Sequence, residues 1–455
     1  MTGAPRRSSP RAPVRHVHLG LGNFFRAHQA WYTAHAPDAG EWGIAAFAGR
    51  HRALADALDA QDCLYTVITR SPDDDLIEVV PTLSAAHAAT DYAAYLGYLA
   101  DPGVALVTLT VTEAGYCRGA DGGLDTSDAS VRADLDALRA DRAATVGTAP
   151  ARLVAGLLAR RSAGVGPIAL VPCDNLPGNG AVVARVLRDA AAEVDATLQP
   201  WIDEHVAFVS TVVDRITPRA SDADRDAVRE WSDRAPVVTE PFHEWTLSGD
   251  FPGGRPAWEA AGARFVDDVG PFEQRKLWLL NGAHSLLAYA GLLRGHRTVA
   301  EATADPTLLG WVREWWQLAG AHLPLDPHAT ARYCDSLVER FTNTRLRHEI
   351  LQIAADGSQK IPVRILPVLH AERRAGRLPV AAVRVLAVYV AALRSLPEPP
   401  PDPQSARLVA AARATPTAMA VRHVLGLLES QLAEDAALCD LVAELTDDLL
   451  RQPAG

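Results

Sequence analysis

The sequence predicts an α/β protein, with a mostly parallel sheet in the N-terminal domain and an all-helical C-terminal domain. Three observations predict it. Apolar runs of strand length alternate with segments of helical periodicity across residues 14–213. A glycine turn, Gly20-Leu21-Gly22, follows the first strand and opens a helix. From about Pro271 onward, Leu, Ala and Val recur at helical spacing and strand signals are few. Strand, glycine turn and helix is how a dinucleotide-binding unit begins, which makes the N-terminal domain Rossmann-type. The expected boundaries are a disordered leader over 1–13, the Rossmann-type domain over 14–270 and a helical substrate-binding and catalytic domain over 271–455.

The elements follow in order. Residues 14–19 read as a strand, 23–35 as a helix and 43–48 as a second strand. A helix over 53–60, an extended pair (64–70 and 76–81) and a helix over 92–100 come next. The apolar run 104–110 is a buried strand, helices are expected over 130–142 and 149–162, and 168–171 is another buried strand. The segment 207–213 reads as one further strand. Strand alternating with helix implies a parallel sheet covered on both faces, with ligands at the carboxyl ends of its strands. The glycine turn, Thr112-Glu113, Asp174-Asn175 and Asp214-Arg215 all stand just after expected strands. In the C-terminal domain, the proline-rich stretch 396–403 is a loop between two helices.

Composition bounds the function. An apolar content of 48% with 22% charge fits a soluble globular protein. A net charge of −11 argues against nucleic acid and anionic membranes as partners. No run of 18 apolar residues is present, so nothing is expected to span a membrane. The basic, Pro- and Ser-rich start, MTGAPRRSSPRAP, has no apolar stretch behind it and is not a signal peptide. Five scattered cysteines without a C-x-x-C indicate neither a disulfide framework nor a zinc site, and point to the cytoplasm. No metal site is expected. A monomer or small homo-oligomer fits these features.

The most informative stretch is Lys276-Leu-Trp-Leu-Leu-Asn-Gly-Ala-His284. At about 100° per residue, with Lys276 at 0°, Glu273 falls near 60°, His284 near 80° and Asn281 near 140°. One arc of a helix then carries an amine, an amide and an imidazole. The flanking Leu277, Leu279, Leu280, Leu286 and Leu287 mark that helix as largely buried, and a buried lysine needs a reason. A lysine of lowered pKa can exchange a proton with an alcohol oxygen, and an amide N–H can hold the developing alkoxide. That is the equipment of alcohol–carbonyl chemistry.

On the nucleotide side, Gly20, Gly22, Asn23 and Phe24 stand where a pyrophosphate would approach. Phe25 takes the place of a third glycine. The acidic residue expected after the second strand to hold a ribose 2′-hydroxyl is replaced by Gly49-Arg50-His51-Arg52. Arg50 and Arg52 could accept a 2′-phosphate, so the reading is NAD, with NADP left open.

Six segments together resemble the polyol-specific long-chain dehydrogenases, the mannitol dehydrogenase family, which includes fructuronate reductases. They are HLGLGNFFRAHQAWY (18–32), LTVTEAGY (109–116), CDNLPGNG (173–180), VDRITP (213–218), GGRPAWEAAGARFVDDVGPFEQRKLWLLNGAHSLLAY (253–289) and LRHEILQIAADGSQKIPVRILP (346–367). The resemblance implies zinc-free hydride transfer between a nicotinamide and a polyol–ketose or aldonate–ketouronate pair. It implies Lys276 as general acid/base, Asn175 and Asn281 as the oxyanion site, and His284 and Lys360 as substrate contacts. Asp214 would line the site near the nicotinamide, and Glu113 and Glu273 would line a proton path. In mannitol-oxidising members an arginine stands where this chain has Gln352, which is more like the fructuronate reductase side. A neutral Gln lacks the charged, bidentate grip of Arg. The expected substrate is thus a ketouronate, with mannitol 2-dehydrogenase and mannitol-1-phosphate 5-dehydrogenase as rivals, and a non-catalytic nucleotide sensor as a remote one.

Overall fold

The structure, a computed structural model, describes Arg7 and residues 9–49, 52–346 and 348–451. The chain divides between Gly270 and Pro271 into two compact units. Among the described residues, unit 1 holds twelve strands: β1 (Val14–Leu19), β2 (Gly43–Phe47), β3 (Tyr65–Arg70), β4 (Asp75–Val80), β5 (Leu83–His87), β6 (Leu106–Leu109), β7 (Ile168–Pro172), β8 (Val206–Phe208), β9 (Ser210–Asp214), β10 (Val237–Thr239), β11 (Glu244–Ser248) and β12 (Arg264–Phe265).

The main sheet has the order β5-β2-β1-β6-β7-β8, and every pairing in it is parallel. This is the doubly wound order of dinucleotide-binding domains, and its switch point lies between β1 and β6. Both faces are buried, as an all-parallel sheet requires. Val17, Leu19, Phe47, Val107, Leu109 and Leu170 pack against the helices Tyr92–Leu99, Ala129–Ala140, Ala149–Ser162 and Asn179–Val194 on one side. Ala169, Val171 and Leu106 meet Tyr32, Trp42, Trp245 and Trp258 on the other.

Three expectations are corrected. The helix expected through residue 35 is two short ones, Asn23–Ala27 and Gln29–Ala34, broken at His28 (φ −123°, ψ −88°). The single strand expected over 207–213 is β8 and β9, which belong to different sheets. Val209 donates to the Leu170 carbonyl at 2.9 Å, and the chain then leaves β7 to pair antiparallel with β11. Asp214 therefore ends a strand of a small second sheet, not of the parallel one. The strand β5 was not expected, because Leu-Ser-Ala-Ala-His has little β-propensity; burial beside β2 makes it a strand.

Buried histidines give unit 1 a pH dependence. Burial pushes His16 and His28 down to about 3. His16 Nε2 and His18 Nδ1 both meet the Thr108 hydroxyl, at 2.6 and 2.8 Å. In the unfolded chain these rings take up protons below about 6.5. The stabilisation from keeping them neutral is therefore complete above that pH and is lost as pH falls toward 3. The expected slope is about 1.4 kcal/mol per pH unit for each fully buried ring. Urea unfolding at pH 7 and pH 5 should show a clear drop in midpoint; equal midpoints would contradict it.

Unit 2 is helical, with no strand among the described residues. Its centre is the pair of helices Gly282–Leu293 and Val380–Ser395, each buried almost all round, with Tyr289 and Tyr389 5.0 Å apart between them. The proline-rich stretch lies between helices Val380–Ser395 and Ser405–Ala412. Among the described residues no helix is long and apolar enough to cross a membrane. The five cysteines are free.

Candidate active site

In unit 1 the glycine turn sits at the carboxyl end of β1. The amides of Gly20 and Leu21 both donate to the Phe47 carbonyl, at 3.0 and 2.9 Å, which carries the chain across the end of β2. Gly20 has φ +112°, and a Cβ there would lie 2.1 Å from the backbone oxygen of Thr110. At Gly22 a Cβ would meet only the Gly20 oxygen, at 3.4 Å, so that side of the turn is open. Behind the turn, the Thr110 hydroxyl donates to the Gly20 carbonyl at 2.9 Å, and His18 Nε2 lies 3.1 Å from the same hydroxyl. Phe25, in the place of a third glycine, is buried and stacks on His18 at 3.5 Å.

Arg26 organises the turn from below. Its Nε donates to the Gly22 carbonyl at 3.2 Å, Nη2 to Asn23 Oδ1 at 2.8 Å, and Nη1 to the Ala235 carbonyl. The Asn23 side chain is thus engaged by Arg26, while Phe24 stacks on His28 at 4.8 Å. Sequence reasoning missed Arg26, although a cation inside an apolar stretch was the signal. Arg50 and His51 lie outside the described residues. Arg52 is exposed and pairs with Asp56 at 2.9 Å.

The other three polar pairs divide their work. Asp174 is buried; its carboxylate accepts from the Thr112 amide at 2.8 Å and the Tyr116 hydroxyl at 2.5 Å. It fixes the loop after β6, where Thr112 has φ +71°. Burial raises the Asp174 carboxyl above its ordinary range, although both donors oppose the shift. Asn175 next to it is exposed. Glu113 is also exposed, at the start of a 3-10 turn over Glu113–Tyr116. Asp214 is buried at the end of β9. Its neighbour Arg215 is structural: buried, it donates to the carbonyls of Ala27 and Glu240 and lies over Trp31 at 4.6 Å.

In unit 2 the segment Lys276–Asn281 is a π-helix, not a turn of the α-helix that the sequence implied. It runs between the helices Gly270–Arg275 and Gly282–Leu293. Its i→i+5 bonding gathers residues five apart, Lys276 and Asn281, more closely than the 140° of an α-helix would. Lys276 and Asn281 are half-buried, and Leu279, Leu280, Leu286 and Leu287 are buried, as their pattern implied. His284 is buried against Phe341 (4.7 Å) and His348 (5.1 Å), and its Nε2 has no hydrogen-bond partner among the described residues. Burial first, then His348, Arg340 and Arg364, hold His284 well below its ordinary value, so the ring is neutral. Glu273 is half-buried on the preceding helix.

Lys360 and Gln352 lie on separate short helices, Gly357–Arg364 and Ile350–Ala354. The break between them falls at Asp356 (φ +57°). Gly357 is demanded by packing: a Cβ there would lie 2.3 Å from the Tyr289 hydroxyl. Asp402, from the proline-rich loop, accepts from the Ser358 amide and hydroxyl, both at 2.8 Å, and so pins the start of the Lys360 helix. Lys360 Nζ is 3.3 Å from the Ile353 carbonyl and 3.9 Å from Asp356. Gln352 is exposed. Among the described residues no group of three His, Cys, Asp or Glu could hold a metal ion.

A dinucleotide-binding sheet with an open glycine turn, followed by a helical unit carrying Lys276, Asn281 and His284 on one run, defines a dehydrogenase of the two-domain type. Residues 14–260 match the mannitol dehydrogenase Rossmann domain, and residues 268–449 match the mannitol dehydrogenase C-terminal domain. The chain belongs to the mannitol dehydrogenase family and is an oxidoreductase. It is 37% identical to the D-mannonate oxidoreductase of Escherichia coli, over 78% of this chain and 75% of that protein. It is 36% identical to the D-arabinitol 4-dehydrogenase of Ralstonia nicotianae, over 85% of this chain and 84% of that protein. The solved structure of Pseudomonas fluorescens mannitol 2-dehydrogenase in complex with NAD and D-mannitol superimposes with a TM-score of 0.80 at 32% identity, covering 97% of this chain and 92% of that one.

Proposed function

We propose that this enzyme uses NAD, with NADP as a weaker alternative, to interconvert a ketouronate and its aldonate at the C2 carbonyl in the manner of a fructuronate reductase. The open side of the Gly20–Gly22 turn is where the dinucleotide fits, because a Cβ at Gly22 would meet nothing but the Gly20 oxygen. Gly20, Gly22, Asn23, Phe24 and Arg50 would hold it. When bound, the nicotinamide supplies or takes the hydride. Lys276 gives a proton to the substrate oxygen in reduction and removes it in oxidation. The amides of Asn175 and Asn281 hold that oxygen while it carries negative charge. A neutral His284 can donate or accept a hydrogen bond to a substrate hydroxyl through one ring nitrogen. Asp214 lines the site near the nicotinamide, and Glu113 and Glu273 line the proton path to and from Lys276.

The observation that carries the ketouronate reading is Gln352. It is an amide where the family resemblance implies a guanidinium in mannitol-oxidising members, which would leave Lys360 to pair with a substrate carboxylate. The kinship with a D-mannonate oxidoreductase agrees with it. The mannitol 2-dehydrogenase reading draws on the likeness to the P. fluorescens enzyme. Steady-state assays of fructuronate, tagaturonate, fructose, mannitol and fructose 6-phosphate with both cofactors separate the two. The expected result is a higher kcat/KM for a ketouronate than for mannitol or fructose. The reverse order replaces the reading with mannitol 2-dehydrogenase. With no carboxylate in Gly49-Arg50-His51-Arg52 to repel a 2′-phosphate, discrimination against NADP should stay below roughly 10³-fold, about 4 kcal/mol.

A further inference from the structure

The π-helix that carries Lys276 and Asn281 is held from outside by three side chains, and nothing in the reading above gives them a role. An α-helix passes each carbonyl to the amide four residues on; an i→i+5 stretch interrupts that series, so that its carbonyls can take donors from outside the helix. Here those carbonyls have external donors. Trp315 Nε1 donates to the Trp278 carbonyl at 2.8 Å, and Trp316 Nε1 donates to the Leu279 carbonyl at 2.8 Å. Arg364 Nη1 donates to the Asn281 carbonyl at 3.3 Å and to Ser285 Oγ at 3.1 Å; the Ser285 hydroxyl itself donates to the Asn281 carbonyl at 3.2 Å. Both tryptophans are buried on the helix Pro306–Gly320.

Gly282 belongs to the same device. A Cβ at that position would stand 2.7 Å from Trp315 Nε1, so only glycine lets the indole reach the helix. Arg364 adds a second connection. It lies one helical turn beyond Lys360 on the helix Gly357–Arg364, so one short helix presents Lys360 and also grips the backbone of Asn281. Left to local preference, the buried, Leu-rich run would relax to an α-helix, because i→i+5 stretches are rare without external support. That relaxation would turn Lys276 and Asn281 away from each other.

We propose that Trp315, Trp316 and Arg364 are positioning residues that keep Lys276–Asn281 in its π-turn and thereby hold the Lys276 amine and the Asn281 amide on one face. The inference rests on Lys276 being the acid/base. The test uses the full-length enzyme with the double variant Trp315→Phe/Trp316→Phe, which keeps two rings and removes both N–H donors, and Arg364→Gln. The expected result for each is a kcat lowered tenfold or more, with KM for the nucleotide within twofold of wild type. The pH at which kcat/KM breaks should move by half a unit or more, because the lysine meets a different surrounding. Backbone amides of 277–285 should exchange faster with solvent. A merely structural loss would lower stability without moving the pH break.

If the double tryptophan variant fails to fold, Arg364→Gln alone decides. Unchanged kcat and pH profile in Arg364→Gln, or in the double variant where it folds, overturn the proposal. Lys276→Ala in the same assay keeps the two ideas apart. Near-normal turnover there removes the acid/base reading and this inference with it. A strongly impaired Lys276→Ala beside unaffected tryptophan and arginine variants removes this inference alone.

Discussion

Replacing Lys276 with Ala should lower kcat by about 10²-fold or more while leaving the protein folded and its nucleotide affinity unchanged. The size follows from what a positioned acid/base contributes, about 10²–10⁴-fold. Lys276 is half-buried in a helical run whose neighbours Leu279, Leu280, Leu286 and Leu287 are buried. Its removal takes away an amine and leaves the apolar packing in place, so stability should change little. KM for the nucleotide should hold, because the residues assigned to the nucleotide belong to unit 1 and Lys276 belongs to unit 2. The pH dependence gives a second check. His284 is kept neutral by burial, so it contributes no break in the ordinary range. The wild-type break in kcat/KM should vanish in Lys276→Ala and persist in His284→Gln. Near-normal turnover of Lys276→Ala would remove this residue from the mechanism.

The parts of the site that were legible in the sequence are those set by local pattern. The strand before Gly20, the apolar run 104–110 and the helical periodicity after 271 all report short-range physics, and each gave its element to within a few residues. The same holds for burial around Lys276, which Leu spacing alone implies. What was illegible depends on distant partners. Nothing between residues 276 and 284 announces a π-turn; its donors come from Trp315, Trp316 and Arg364. The break between β8 and β9 is similar. The apolar run through Val213 looks continuous, yet a Cβ at Gly180 would lie 2.6 Å from Ser210 Oγ, so the packing that fixes the bend is set by another helix. Local pattern alone could not divide the pair Asp174-Asn175 either, although the family resemblance singled out Asn175. Which one turns inward is decided by Tyr116 and the Thr112 amide, and Asp174 became the structural member while Asn175 stayed exposed.

The two glycines of the first turn should differ in what the same change does to stability. Gly20→Ala places a methyl 2.1 Å from the Thr110 backbone oxygen, at a φ of +112° that an L-residue rarely adopts. Backbone cannot swing aside as a side chain can. Thr110 is further tied to this point by its own hydroxyl, which donates to the Gly20 carbonyl, and by His18. Strain and overpacking each cost about 1–3 kcal/mol, so a loss of roughly 2–6 kcal/mol is expected. At roughly 2–4 °C per kcal/mol, Tm should fall by about 4–24 °C, and nucleotide KM should rise because the turn itself has moved. Gly22→Ala meets only an ordinary 3.4 Å contact at a φ of −144° that any residue accepts. Its Tm should stay within about 2 °C of wild type, since a surface substitution free of strain costs about 0.5 kcal/mol or less. If the open side of Gly22 is where the dinucleotide lies, its methyl should still raise nucleotide KM severalfold. A Gly20→Ala protein as stable as wild type would refute the steric account of the turn. A Gly22→Ala protein with unchanged nucleotide KM would move the dinucleotide off that face.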